Sequence, residues 1–137
     1  MKNLLILSFI LLNFLGWSQN SPSKRVKYEA ATIAVMVSND KGKVMGKNPI
    51  GNNVRIEYVI PSKVLFITYN DSNGKTIRTR FEYKNRNGEI ITAEDSGGNI
   101  VTIIDDLELK GSILISPRET NDGKLFSMLI QSATKTY

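Results

Sequence analysis

From Val54 onward, turn-forming residues interrupt the chain at intervals too short for a helical crossover, and this spacing constrains the fold more than any other feature. Apolar segments begin near residues 54, 64, 75, 89, 100, 107–112 and 124, with starts roughly 10 to 14 residues apart and a turn signal in most gaps. A parallel strand pair needs a connection of about a dozen residues or more, usually a helix. Consecutive antiparallel hairpins remain.

The strand assignment rests on alternation. Val54, Ile56, Tyr58 and Ile60 alternate with Arg55 and Glu57 until Pro61 stops the run. Ile77, Thr79, Phe81 and Tyr83 alternate with Arg78, Arg80, Glu82 and Lys84 in the same way. From Gln19 onward the chain holds 14 Ile, 8 Val and 9 Thr against 6 Leu and 5 Ala, a composition that suits pleated surfaces, so little helix is expected. A first strand is expected over Val26–Val37, ended by Asn39-Asp40-Lys41-Gly42. Residues Lys43–Asn53, with Gly46, Pro49, Gly51 and no period, read as the longest loop. The turns at 39–43, 71–75, 85–89 and 121–124 look alike but their flanking strands do not, so they share turn chemistry rather than a repeat.

The expected fold is all-β: an antiparallel meander of about eight strands closed as a small up-and-down barrel, with a β-sandwich as the alternative. Closure follows from the hazard of open sheet edges. In strand count and hairpin connectivity the architecture is similar to that of small lipocalin-like barrels. The Gly and Trp of the lipocalin first strand are absent, Trp17 being the only tryptophan, so no ligand site is carried over.

The N-terminus reads as a secretory signal peptide. Leu4–Leu15 is apolar apart from Ser8 and Asn13, and Gly16 with Ser18 supplies the small residues that cleavage requires. The run is shorter than the roughly 20 residues of a membrane span, and no second one follows. The expected organisation is residues 1–18 as signal, 19–25 as a flexible leader and 26–137 as one domain. Such a chain is exported, to the periplasm or beyond the cell. The 16 Ile, 12 Lys and 13 Asn fit a bacterial source with an AT-rich genome. The chain has no Cys, so neither a disulfide nor a cysteine-linked lipid anchor is available.

The absence of both Cys and His removes thiol nucleophiles, Ser-His-Asp relays, imidazole acid–base work and nearly every zinc or copper site. Carboxylates remain, densest at Asp105-Asp106 with Glu108. If the strand continues through Asp105 and Asp106 they point to opposite faces, which denies a hydrolase its facing pair. They read as a solvated turn. A calcium loop starting at Asp71 fails, because Lys75 and Thr76 occupy its fifth and sixth positions. Neither a catalytic residue nor a metal ligand is assigned, and no cofactor is expected.

Positive charge gathers at Lys24, Arg25 and Lys27, at Lys41, Lys43 and Lys47, and at Arg78, Arg80, Lys84 and Arg86. If Tyr69 pairs with Lys75 across the DSNG turn, Leu65, Ile67 and Phe81 face inward, and the outer face sets Phe66 beside Arg78 and Val64 beside Arg80. Phe66, Arg78 and Arg80 are then a candidate anion platform. The expected function is a non-enzymatic exported barrel that binds through its surface, its partner an anionic glycan, a lipid head group or a protein. Nucleic acid is not expected, because aromatic stacking motifs are absent. The alternatives are a carrier of a small apolar ligand inside the barrel and a carboxylate-based hydrolase.

Overall fold

The computed structural model describes residues 23–117 and 122–137. The apolar run of residues 4–15, the expected cleavage position after Ser18, and residues 19–22 lie outside the described residues. Strands take 74% of the structure and helix 4%, so the chain is all-β. The elements are β1 (Lys24–Asn39), β2 (Val44–Ile60), β3 (Val64–Asp71), β4 (Thr76–Asn87), β5 (Ile90–Asp95), β6 (Ile100–Asp106), the helical turn α1 (Leu107–Lys110), β7 (Ser112–Pro117), β8 (Lys124–Ile130) and β9 (Thr134–Thr136).

Each strand from β1 to β8 pairs antiparallel with the next, and β8 returns to pair with β1. The result is a closed eight-stranded meander barrel, not a sandwich. One short strand is extra: β8 pairs with Ile33–Asn39 of β1, and β9 pairs with Lys27–Glu29 of the same strand. Together they cover one side of β1 in two pieces.

Alternation builds the interior. Ile56, Leu65, Ile67, Phe81, Ile91, Ala93, Ile103, Ile113 and Ile130 point inward and are almost entirely buried. Each buried Ile or Leu contributes about 1.5 to 3 kcal/mol relative to exposure, so this set is the main source of stability. Inward positions of an eight-stranded barrel leave an interior just wide enough for side chains to fill, and here the inward side chains form one cluster closed off from solvent.

Three hairpins close alike. In Asn39–Lys43, Asp71–Lys75 and Asp95–Asn99 the first residue's N–H donates to the fifth residue's carbonyl, at 2.9 Å in each case. The fourth residue, Gly42, Gly74 or Gly98, takes a positive φ of 76°, 77° or 81°. The side-chain oxygen of the first residue accepts from the third and fifth N–H groups at 2.8 to 3.0 Å. Asx side chains mimic a backbone turn in this way, and glycine supplies the left-handed position without strain. Asn85-Arg86-Asn87-Gly88 has the same spacing but does not turn there: Asn85 pairs with Thr92, and the chain reverses at Gly88-Glu89. Asn121 lies outside the described residues.

Four expectations need correction. Lys43–Asn53 is not a loop, because all but Lys43 belongs to β2, which runs beside β1 from Val44. Strand β3 joins β2 only from Gly51, so residues 44–50 have a strand on one side alone, and Pro49 sits on that edge, where its missing N–H is tolerated. A Cβ on Gly51 would stand 2.3 Å from the Tyr69 ring, so glycine at this position lets an aromatic side chain lie on the strand. Second, Lys24 and Arg25, assigned to the leader, open β1 and pair with Ile60 and Val59. Third, residues 107–110 are a helical turn ended by Gly111 at φ 63°, and Leu107 packs into the barrel end. Fourth, Asp105 and Asp106 are not solvated: their side chains are only 10% and 9% exposed. Both lie on β6, facing opposite sides as alternation requires.

Candidate functional site

The predicted platform lies on the outer face of β2, β3 and β4. Its register differs from expectation by two residues: Tyr69 pairs with Ile77, so Phe66 faces Arg80, Val64 faces Glu82, and Thr68 faces Arg78. The cause is the Asp71 side chain, which closes the turn onto Lys75 and carries the strands two residues further. A two-residue shift preserves the faces, since side-chain direction repeats every second residue. Leu65, Ile67 and Phe81 therefore still point inward.

Phe66 and Arg78 still meet, but diagonally. The Arg78 guanidinium lies over the Phe66 ring, 4.1 Å from its centroid. Such a contact contributes about 0.5 to 1 kcal/mol at an exposed site and leaves the N–H edges directed outward. Arg80 is engaged by its neighbour Glu82 at 3.4 Å. Glu82 also meets Lys84 at 3.5 Å, and Lys84 meets Glu94 at 3.4 Å. The two carboxylates hold the Lys84 ammonium above its usual pKa. These pairs are exposed, and solvent screening leaves each of them weak.

The pairings add a residue that the sequence reading missed. Arg55 of β2 faces Thr68, which on its other side faces Arg78. Arg55 and Arg78 thus flank one small hydroxyl residue, and among the described residues neither has a carboxylate within ion-pair distance. Alternation shows that Arg55 points outward. Its nearness to Arg78 depends on two registers at once.

A second cluster occupies the barrel end where β2 turns to β3 and β4 to β5. Tyr28, Tyr58 and Tyr83 point inward there from β1, β2 and β4 and stack edge to face, with centroids 6.4 Å and 6.0 Å apart. Asp105 enters from β6, meets Arg86 at 3.4 Å and accepts the Leu107 N–H at 3.3 Å. The Tyr28 hydroxyl donates to Glu108 at 3.1 Å, and Lys135 donates to the same oxygen at 3.3 Å. Burial, then Glu108, pushes the Tyr28 hydroxyl up to about 12, while Lys135 and Tyr28 hold Glu108 below its usual range. The hydroxyls of Tyr58 and Tyr83 are buried near each other and Asp105, yet neither meets a partner at hydrogen-bonding geometry. Burial pushes both well above the ordinary tyrosine range. They stay protonated and can donate.

Asp106 points away from this cluster and pairs with Lys110 at 2.6 Å, so the two aspartates do not face each other across a cleft. Among the described residues no acidic cluster forms a metal-ligand set, and no helix is long and apolar enough to cross a membrane. Compared with known proteins, the chain matches no family model, no curated protein and no solved structure.

Proposed function

We propose that this chain is an exported, non-enzymatic barrel that binds anionic groups through the outer face of β2 to β4. The observation that carries the reading is the set Arg55, Arg78 and Arg80 around Thr68 and Phe66, with the Arg78 guanidinium over the Phe66 ring. Stacking pre-orients a guanidinium, so less side-chain entropy is lost when its forked donors meet sulfate, phosphate or carboxylate. Export rests on the Leu4–Leu15 run and places the binding partner in the periplasm or outside the cell, where anionic glycans and lipid head groups are met. A carrier holding an apolar ligand in the lumen draws no support from an interior taken up by Ile56, Ile67, Ile91 and Ile103. A hydrolase draws none from two aspartates on opposite faces.

The test uses a sulfated-glycan column and, in parallel, vesicles containing an anionic phospholipid, both at low salt. The parent protein is retained by one of them and released by added salt, and the matrix that retains it identifies the source of the anion. The double variant Arg78→Ala, Arg80→Ala elutes at much lower salt and keeps its fold, with only the small loss of thermal stability that the Phe66 contact accounts for. Failure of the parent to bind either matrix, or equal retention of the double variant, overturns the reading.

A further inference from the structure

We infer that the tyrosine-lined end of the barrel holds a small amphipathic carboxylate, a short aliphatic or aromatic acid, in a cavity distinct from the arginine face. The cavity has a volume of about 260 Å³ and lies between the β2–β3 turn and the end of β4. At the roughly 30 Å³ that a water molecule occupies in the liquid, it has room for about nine non-hydrogen atoms. Barrel mouths are a usual place for such sites.

The lining specifies the ligand. Ile60, Val64 and the rings of Tyr58 and Tyr83 give it an apolar body, while Lys63, Lys84 and Arg86 supply the charge; no acidic residue lines it. Two of the three cations are already engaged, Lys84 by Glu82 and Glu94 and Arg86 by Asp105. Lys63 has no such partner among the described residues. It is also held in place: its φ is 53°, and its carbonyl accepts the Tyr83 N–H at 2.9 Å. A lysine in the left-handed region is unfavourable by itself, and such positions cluster at functional sites.

The Tyr58 and Tyr83 hydroxyls are themselves closed off from solvent, near each other and Asp105, so the tyrosines offer the cavity their rings and the charge recognition falls to Lys63. A carboxylate supplies the opposite charge that Lys63 lacks. An alcohol lacks the charge, and an amine would meet three cations.

The probes are hexanoate and benzoate, with hexanol and hexylamine as controls, each titrated into isotope-labelled protein and followed by amide chemical shifts. The acids shift the amides of residues 58–64 and 83–86, and they bind about tenfold more tightly than hexanol, the factor a charge-assisted contact supplies. Lys63→Gly removes the charge and suits the positive φ, so it leaves thermal unfolding intact and brings the acid down to the affinity of the alcohol. The Arg78→Ala, Arg80→Ala variant binds the acids as the parent does, which separates this site from the proposed anion face. The inference is overturned if the acids shift only the Arg55–Arg78 face, if they shift nothing, or if Lys63→Gly binds hexanoate as tightly as the parent.

Discussion

The outer wall on β2, β3 and β4 carries Arg55, Glu57, Arg78, Arg80 and Glu82, whereas on β5 to β8 the outward charges are mainly Glu94 and Asp106, toward the strand ends. Its pairings align Ile90, Ile104, Leu114, Leu129 and Ala34 in one row across five strands. Beside that row run Thr92, Thr102, Ser116 and Ser127, the two serines joined at 2.8 Å. Behind both walls the inward residues are alike: Ile56, Ile67 and Phe81 on one side, Ile91, Ile103 and Ile113 on the other. One alternation therefore writes two messages. Inward residues close the barrel and must be similar all round, while outward residues are released from that demand and differ by what each wall meets.

The sharpest way to break this comparison uses two neighbours on β6. Ile103 is 0% exposed and Ile104 is 41% exposed. Ile103→Ala should cost about 2 to 5 kcal/mol, because it removes buried surface and leaves a cavity. Ile104→Ala should cost under about 1 kcal/mol. Urea denaturation of both variants checks this, and equal losses would mean that the outer row is itself covered by packing.

High pH sharpens the contrast next. All four inward tyrosines, Tyr28, Tyr58, Tyr69 and Tyr83, stand on β1 to β4, and burial raises the pKa of each. A raised tyrosine favours the fold while neutral, so its contribution is whole below the ordinary tyrosine range near pH 10 and is lost as pH rises through the folded value. For Tyr28 that value is about 12. Spectrophotometric titration should show these phenols ionising only as the barrel opens, with amide protection lost on β1 to β4 before β5 to β8. Ordinary titration near pH 10 with the fold intact would contradict it.

The smallest effect lies in the matching hairpins. Asn99 is the chief cause that holds the Asp95 carboxyl below its usual range, with Gly97 adding to it. A lowered carboxylate stabilises the fold above the ordinary aspartate range and loses that contribution as pH falls through its folded value. Asp95→Ala should cost about 1 kcal/mol at neutral pH, the net worth of a turn hydrogen bond. Asp95→Asn should keep the turn, as Asn39 does at 39–43, and flatten the acid limb of stability. Thermal unfolding from pH 2 to 7 reads both.

Much of the fold was legible because alternation is a local property. Val54, Ile56 and Tyr58, then Ile77, Thr79 and Phe81, announce their faces without knowledge of any neighbour. The stretch 44–50 was not legible, because its strand state comes from Val35, Met36 and Val37 on β1, which it pairs with across the first hairpin. The candidate platform was half legible. Phe66, Arg78 and Arg80 share a face in either register, but Arg55 joins them only through β3, and the diagonal stacking on Phe66 needed the true turn closure.

The tyrosine end was out of reach of any sequence pattern. Tyr28, Tyr58, Tyr83 and Asp105 each follow the inward period, yet they come from four strands, and their meeting depends on where every hairpin closes and where Lys84 bulges out of register. Sequence alone determined strand content, the inward set and turn chemistry, because these depend on residues within a few positions of one another. Tertiary structure decided which distant side chains share a surface or a cavity, because one residue of register in any hairpin moves every contact beyond it.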